Sequence, residues 1–218
     1  MTWRDISIAV GPTTPEWPGD TPFSCGWTWR IAEGASVNLS ALTMSPHVGT
    51  HADAPLHVAD GWAPSDELPL EPFVGPAVVC SVDPALAAVE IADLRSLPRD
   101  RAVERILLRT GCSIADGRFP TAWPALTPAA VTALVERGLV LLGVDAPSVD
   151  ARDSKTLEVH RALFAGGAFN LENLDLRNVA DGEYELTALP LKLRALDAAP
   201  VRALLRATPG QVRVQREA

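Results

Sequence analysis

Three of the four histidines in this chain fall within eleven residues, in the run HVGTHADAPLHV (47–58). That run restricts the fold more than any other part of the sequence. Drawn out straight from His47 to His57 it would span roughly 33 Å, too far for its side chains to share a site. His47 and His51 are four apart, a spacing that also fits one face of a helix, but Gly49, Thr50 and Pro55 disfavour a helix here. In extended chain His51 and Asp53 point to the same side. The segment must therefore curl, with Gly49 permitting the bend and Pro55 constraining the exit. Imidazoles gathered beside a carboxylate form the donor set of a metal site. On this reading His47, His51 and Asp53 make a first ligand set, and His57 lies close by but later.

The remaining histidine, His160, stands twelve residues before Glu172. Alone, a histidine on an apolar helix is usually packed or at the surface, and Glu172 in NLENLDL would usually be a solvated carboxylate. With no other imidazole left in the chain, the pair gains value: Asp53 can bridge two ions, with His160 and Glu172 completing a second set. Two divalent ions offset by two carboxylates and a hydroxide retain a modest positive charge, suited to stabilising an oxyanion. Trp17, in TPEWPGDTPF, lies between turn signals. It reads first as a tryptophan packed under a Pro-rich arm, and second as an aromatic wall for a substrate.

The chain is 218 residues long, 47% hydrophobic and 21% charged, which fits a globular protein with a sizeable core in a single domain over 1–218. A formal net charge of -8 argues against nucleic acid or an anionic membrane as partner. No apolar run approaches the about 18 residues of a membrane helix. The N-terminus, MTWRDISIAVGPTTP, lacks the pattern of a secretory signal. Cys25, Cys80 and Cys112 are odd in number and widely spaced, so they are expected to be reduced, buried, apolar residues in a cytoplasmic protein. No GxSxG elbow is present and Ser45 has no signature around it, so a serine hydrolase is disfavoured.

Along the chain, residues 1–30 read as an extended arm broken by turns. Strands are expected at 77–83, 104–110 and 139–145, the last covered on both faces. A short helix is expected at 91–98. Over 126–138, Thr127 suits an N-cap, Pro128 the first helical turn and Gly138 the C-terminal cap. Residues 157–167 read as a short helix stopped by a Gly pair, and 184–193 as an imperfect strand ending near Pro190. Residues 200–207 fit either element. The mixture points to an α/β class with open connectivity.

HVGTHADAPLHV resembles the HxGTHxDxPxH signature of the metal-dependent cyclase-like amidohydrolases. DISIAVGPTTPEWPGDTPF, GVDAPSVD, FNLENLDL and YELTALPLKLRALDAAPVRALLR extend the resemblance to that family's bacterial kynurenine formamidases, from about residue 4 to 206. The resemblance implies a swivelling β/β/α fold, usually a homodimer, and two divalent ions per chain, zinc foremost with manganese an alternative. It implies that His47, His51 and Asp53 hold one ion, and that Asp53, His160 and Glu172 hold the other, with Glu172 able to touch both. His57 is implied as the acid–base residue and Trp17 as a substrate contact. The implied reaction is hydrolysis of N-formyl-L-kynurenine to L-kynurenine and formate in tryptophan breakdown. Two alternatives stand beside it: a related hydrolase of another aromatic or cyclic amide such as isatin, and a metal-stabilised protein without turnover.

Overall fold

A computed structural model describes residues 2–208. Thirteen strands appear in chain order: β1 (Arg4–Asp5), β2 (Ser24–Trp29), β3 (Leu39–Thr43), β4 (His51–Asp53), β5 (Val74–Ser81), β6 (Ala88–Val89), β7 (Arg105–Arg109), β8 (Ala125–Leu126), β9 (Leu141–Val144), β10 (Phe169–Leu171), β11 (Gly182–Thr187), β12 (Ala198–Pro200) and β13 (Leu204–Ala207). Two α-helices join them, α1 (Pro128–Glu136) and α2 (Glu158–Ala165).

Seven strands form the central sheet in the order β1-β13-β11-β5-β7-β9-β10. The half from β5 to β10 is parallel, and β11, β13 and β1 extend it in antiparallel fashion. Alternation divides the side chains between two cores. Val78, Ile106 and Leu142 stand in register on one face, under Val131, Leu134, Val159 and Leu163 of the two helices. Val79, Leu107 and Leu171 look the other way, onto Ile6, Leu174, Leu186 and Ala203. Burial on both faces explains why β9 reads as an unbroken apolar run, LLGV.

α1 follows its local signals. Thr127 Oγ1 accepts the Ala130 N–H, Pro128 opens the first turn, and Gly138 at φ +99° closes a Schellman cap with Leu139 N–H on the Leu134 carbonyl and Gly138 N–H on Val135. The helix expected at 91–98 reduces to one 3-10 turn, Ile91–Asp93. Leu94 and Leu97 plunge into the core straight after it, and so few residues cannot propagate a helix. Within 200–207, Leu204–Ala207 resolve as strand, because β13 fills the gap between β11 and β1.

The cysteine expectation needs correction: Cys80 is buried and Cys112 half-buried, but Cys25 is exposed. It lies in the β2–β3 hairpin, where every residue of both strands is exposed, including Trp27, Trp29 and Leu42. Among the described residues no helix is long and apolar enough to cross a membrane.

Candidate metal centre

The histidine run does curl, and the reason is local. Gly49 turns the chain at φ +75°, where a Cβ would lie 2.5 Å from Val10 Cγ2. Thr50 fastens the turn: its hydroxyl donates to the Asn173 carbonyl at 2.6 Å and accepts the Ile8 N–H at 2.8 Å. β4 then runs beside the sheet edge, and His51 exchanges both backbone hydrogen bonds with Glu172, just beyond β10. His51 Nδ1 bonds the Gly49 carbonyl at 2.9 Å, which turns Nε2 to the cluster. Pro55 begins a 3-10 turn that ends at His57.

Four residues of the expected ligand sets are almost wholly enclosed: His51, Asp53, His160 and Glu172. Asp53 Oδ1 lies 3.0 Å from His47 Nδ1 and 3.3 Å from His51 Nε2, while Oδ2 lies 3.0 Å from His160 Nε2. Glu172 divides its oxygens the same way, Oε2 at 3.4 Å from His51 Nε2 and Oε1 at 3.2 Å from His160 Nε2. Ligands on a tetrahedral ion with bonds of about 2.0–2.1 Å are about 3.3 Å apart, so these separations suit a shared cation. Asp53 Oδ1 supports that reading. Despite two ring nitrogens in ion-pair range, neither contact has hydrogen-bond geometry, and the buried oxygen has no donor. Leaving a buried acceptor unmet costs about 1–3 kcal/mol, a penalty a cation would remove.

The charges say the same. Burial alone would lower the His47 and His51 pKa values. A hydrogen bond to Asp197 and the charge of Asp53 instead raise His47 to about 9, and the charges of Asp53 and Glu172 raise His51 to about 10. Burial is likewise overridden at His160, held well above the usual imidazole range by Asp150, Asp53 and Glu172. Burial would raise the carboxyls, yet the surrounding imidazoles hold Asp53 well below its ordinary range. Glu172, pushed up further by the Asp53 charge, is still held at about 2 by His160 and His51. Protons on imidazoles thus balance two buried carboxylates, a role divalent ions can take over as they displace those protons.

His160 is aimed by a residue the sequence reading did not single out. Asp150 Oδ2 accepts His160 Nδ1–H at 2.6 Å and the His160 backbone N–H at 3.1 Å, and Oδ1 accepts the Val159 N–H at 2.9 Å. One carboxylate therefore caps α2 and fixes the imidazole so that Nε2 faces Asp53 and Glu172. Two more residues were missed. Asn170 Nδ2 donates to Asp53 Oδ2 at 2.6 Å and Glu172 Oε1 at 3.1 Å. Asp197 Oδ2 takes His47 Nε2 at 2.9 Å and His57 Nδ1 at 3.3 Å. Of these only Asn170 carried a local signal, two residues before Glu172 at strand spacing.

His57 is half-buried, its ring 4.5 Å from that of His47 and 5.6 Å from that of His160. Potential ligand atoms of His47, Asp53 and His57 lie within 4.8 Å of one another, as do those of His51, Asp53 and Glu172. All four imidazoles and Glu172 open onto a cavity of about 300 Å³, walled by Trp17, Phe119, Pro147 and Leu157. Trp17 lies in the cavity wall. Its ring packs edge-on against Phe119 at 5.4 Å and Trp123 at 5.9 Å, yet it remains 39% exposed and lines the cavity.

Comparison with known proteins agrees with this architecture. A structure described as a potential metal-dependent hydrolase with cyclase activity superposes with a TM-score of 0.79 at 28% identity, covering 94% of this chain and 96% of that one. One described as a predicted metal-dependent hydrolase from Bacillus stearothermophilus gives 0.78 at 27% identity, covering 94% and 97%. Isatin hydrolase A from Ralstonia solanacearum, at 23% identity and 0.77 over 94% and 91%, shares the fold. With residues 4–151 matching the Cyclase family, this chain belongs to that family.

Proposed function

We propose that this protein is a metal-dependent amidohydrolase that hydrolyses N-formyl-L-kynurenine to L-kynurenine and formate. His47, His51 and Asp53 would hold one ion, and Asp53, His160 and Glu172 the other, zinc or manganese fitting a set of imidazoles and carboxylates. The observation that carries the reading is the division of both carboxylates: Asp53 and Glu172 each turn one oxygen to His51 and the other to His160. A structural zinc site is normally closed by four protein ligands, often cysteines. Here a cysteine-free set opens onto an aromatic-walled cavity, which favours turnover over a purely structural metal. Trp17 and Phe119 suit the aryl ring of the substrate.

Held by these residues, divalent ions would lower the pKa of bound water to about 7 and would polarise the scissile carbonyl. The remaining chemistry belongs to the side chains. Asp197 engages His57 at Nδ1, which leaves Nε2 as the atom that moves a proton. His57 takes a proton from the attacking water as the formyl carbon becomes tetrahedral. It then delivers that proton to the aniline nitrogen as the C–N bond breaks, because an anilide anion is a poor leaving group. Asp150 keeps the His160 Nδ1 proton in place throughout.

A homodimer belongs to the same proposal. A two-stranded hairpin is marginal in water, and β2–β3 exposes Trp27, Trp29, Leu39 and Leu42, which favours its burial against a second copy. Sedimentation of the purified protein tests this, and a monomer at working concentration would refute it.

The function is tested by stripping metal and following N-formyl-L-kynurenine hydrolysis before and after adding zinc or manganese, with isatin assayed in parallel. Activity on the formamide that vanishes and returns with the ion supports the proposal. Hydrolysis of isatin alone moves the substrate to a cyclic aryl amide, the chemistry of the isatin hydrolase that shares this fold.

A further inference from the structure

Asn170 is a polar residue in an apolar row. It stands in register with Leu142, which is itself in register with Ile106, and Ile106 with Val78. Its three predecessors in the row are core, and Asn170 is as completely buried as they are. A buried amide at that position calls for partners on both ends. Only one end has them. Nδ2 lies 2.6 Å from Asp53 Oδ2, 3.1 Å from Glu172 Oε1 and 3.4 Å from His160 Nε2, whereas Oδ1 is buried without a hydrogen-bond partner.

Those three neighbours are the donor atoms of the second ion set. His160 Nε2 is 3.0 Å from Asp53 Oδ2 and 3.2 Å from Glu172 Oε1. Adding the three Asn170 separations gives five edges of a four-cornered figure, four of them at 3.0–3.4 Å, close to the about 3.3 Å expected between ligands of a tetrahedral ion, and the Asn170–Asp53 edge shorter at 2.6 Å. The Asn170 amide occupies its fourth corner. With protons balancing the carboxylates, the end that belongs there is the NH2 group, which donates to Asp53 and Glu172. With a divalent cation inside the figure, the end that belongs there is the carbonyl oxygen, because an amide NH2 has donors and no free lone pair. A half-turn about the terminal amide torsion exchanges the two, and that torsion is broad and roughly two-fold.

We propose that Asn170 is a ligand of the second ion through Oδ1, and that its Nδ2 holds Asp53 and Glu172 together when the ion is absent. The proposal rests on the two-ion reading above and extends its second set to four protein donors. Asn170 then closes the second position, so that the first, beside His47 and His57, is the one left to change ligands during turnover.

Cobalt(II) titration of the chelated full-length protein against a competing chelator decides this, with visible absorption reporting the coordination of each ion. Wild type should take up about two ions per chain. Asn170→Ala should retain the first with unchanged affinity, which also reports correct folding, and should weaken the second by about 10–100-fold. Asn170→Asp is the discriminating variant. As a ligand it places an anionic oxygen on the ion and should tighten the second site. As a mere donor to two carboxylates its loss should weaken that site as Asn170→Ala does. If Asn170→Ala does not fold, the rise in melting temperature on adding cobalt still separates the two roles: it is larger in Asn170→Asp than in wild type only if Asn170 is a ligand. Second-site affinity lost in Asn170→Asp, or kept in Asn170→Ala, overturns the assignment of Asn170 alone. A wild-type chain that binds one ion overturns the two-ion reading and Asn170 with it.

Discussion

Replacing Asp150 by asparagine separates a helix cap from a metal-site positioning group. The carboxylate meets three N–H groups with two oxygens, Oδ2 serving His160 at both its backbone and Nδ1, and Oδ1 serving Val159. Asparagine has one acceptor oxygen and must turn its NH2 to one side. Facing Val159, it opposes the Val159 N–H and strands that buried donor, at about 1–3 kcal/mol. Facing His160, it forces Nδ1 to accept, so the ring proton moves to Nε2, 3.0 Å from Asp53 Oδ2 and 3.2 Å from Glu172 Oε1, and blocks that lone pair. In a chain of this size about 2 kcal/mol corresponds to roughly 4–8 °C in melting temperature. Loss of a group that orients a ligand lowers ion affinity by about 10–100-fold. Calorimetry of the chelated protein gives the first quantity, and chelator competition gives the second. The ¹⁵N shifts of His160 report which nitrogen carries the proton. Should the melting temperature fall while ion affinity stays within about twofold of wild type, Asp150 is a cap only and the reasoning about His160 fails.

Removing the imidazole in His57→Ala should lower turnover by roughly 10²–10⁴ with metal content nearly intact; loss of metal as complete as in His47→Ala would remove the acid–base role. Gly49→Ala should destabilise by about 1–2 kcal/mol for a left-handed alanine at φ +75°. Its clash with Val10 Cγ2 should be relieved by adding Val10→Ala, and urea denaturation of the single and double variants measures both parts. In chelated protein, the raised pKa values of His47 and His51 mean that protonation stabilises the fold. That contribution is full below about pH 6.5 and is lost as pH rises through about 9 to 10. Melting temperature measured against pH should therefore fall on the alkaline side without metal and fall less with it; coincident curves would contradict the assigned charges.

What was legible in the sequence was what short-range forces decide. Thr127, Pro128 and Gly138 bracket α1 because caps and left-handed termini act within one turn of chain. Gly49 and Pro55 announced the curl of the histidine run because they restrict torsions at their own positions. Trp17 stayed ambiguous because periodicity does not say what faces a ring, and the fold set it against both Phe119 and the cavity. Residues 200–207 were open between helix and strand until a gap in the sheet claimed their last four for β13. Asp150, Asn170 and Asp197 went unread for the same reason. Asp197 lies 150 residues from His47, and Asn170 lies 117 from Asp53. The sequence by itself determined which donors exist and where the chain must bend. The tertiary structure alone decided which donors meet, because closing the sheet from β5 to β10 and laying β4 along its edge brings together groups that no local interaction can pair.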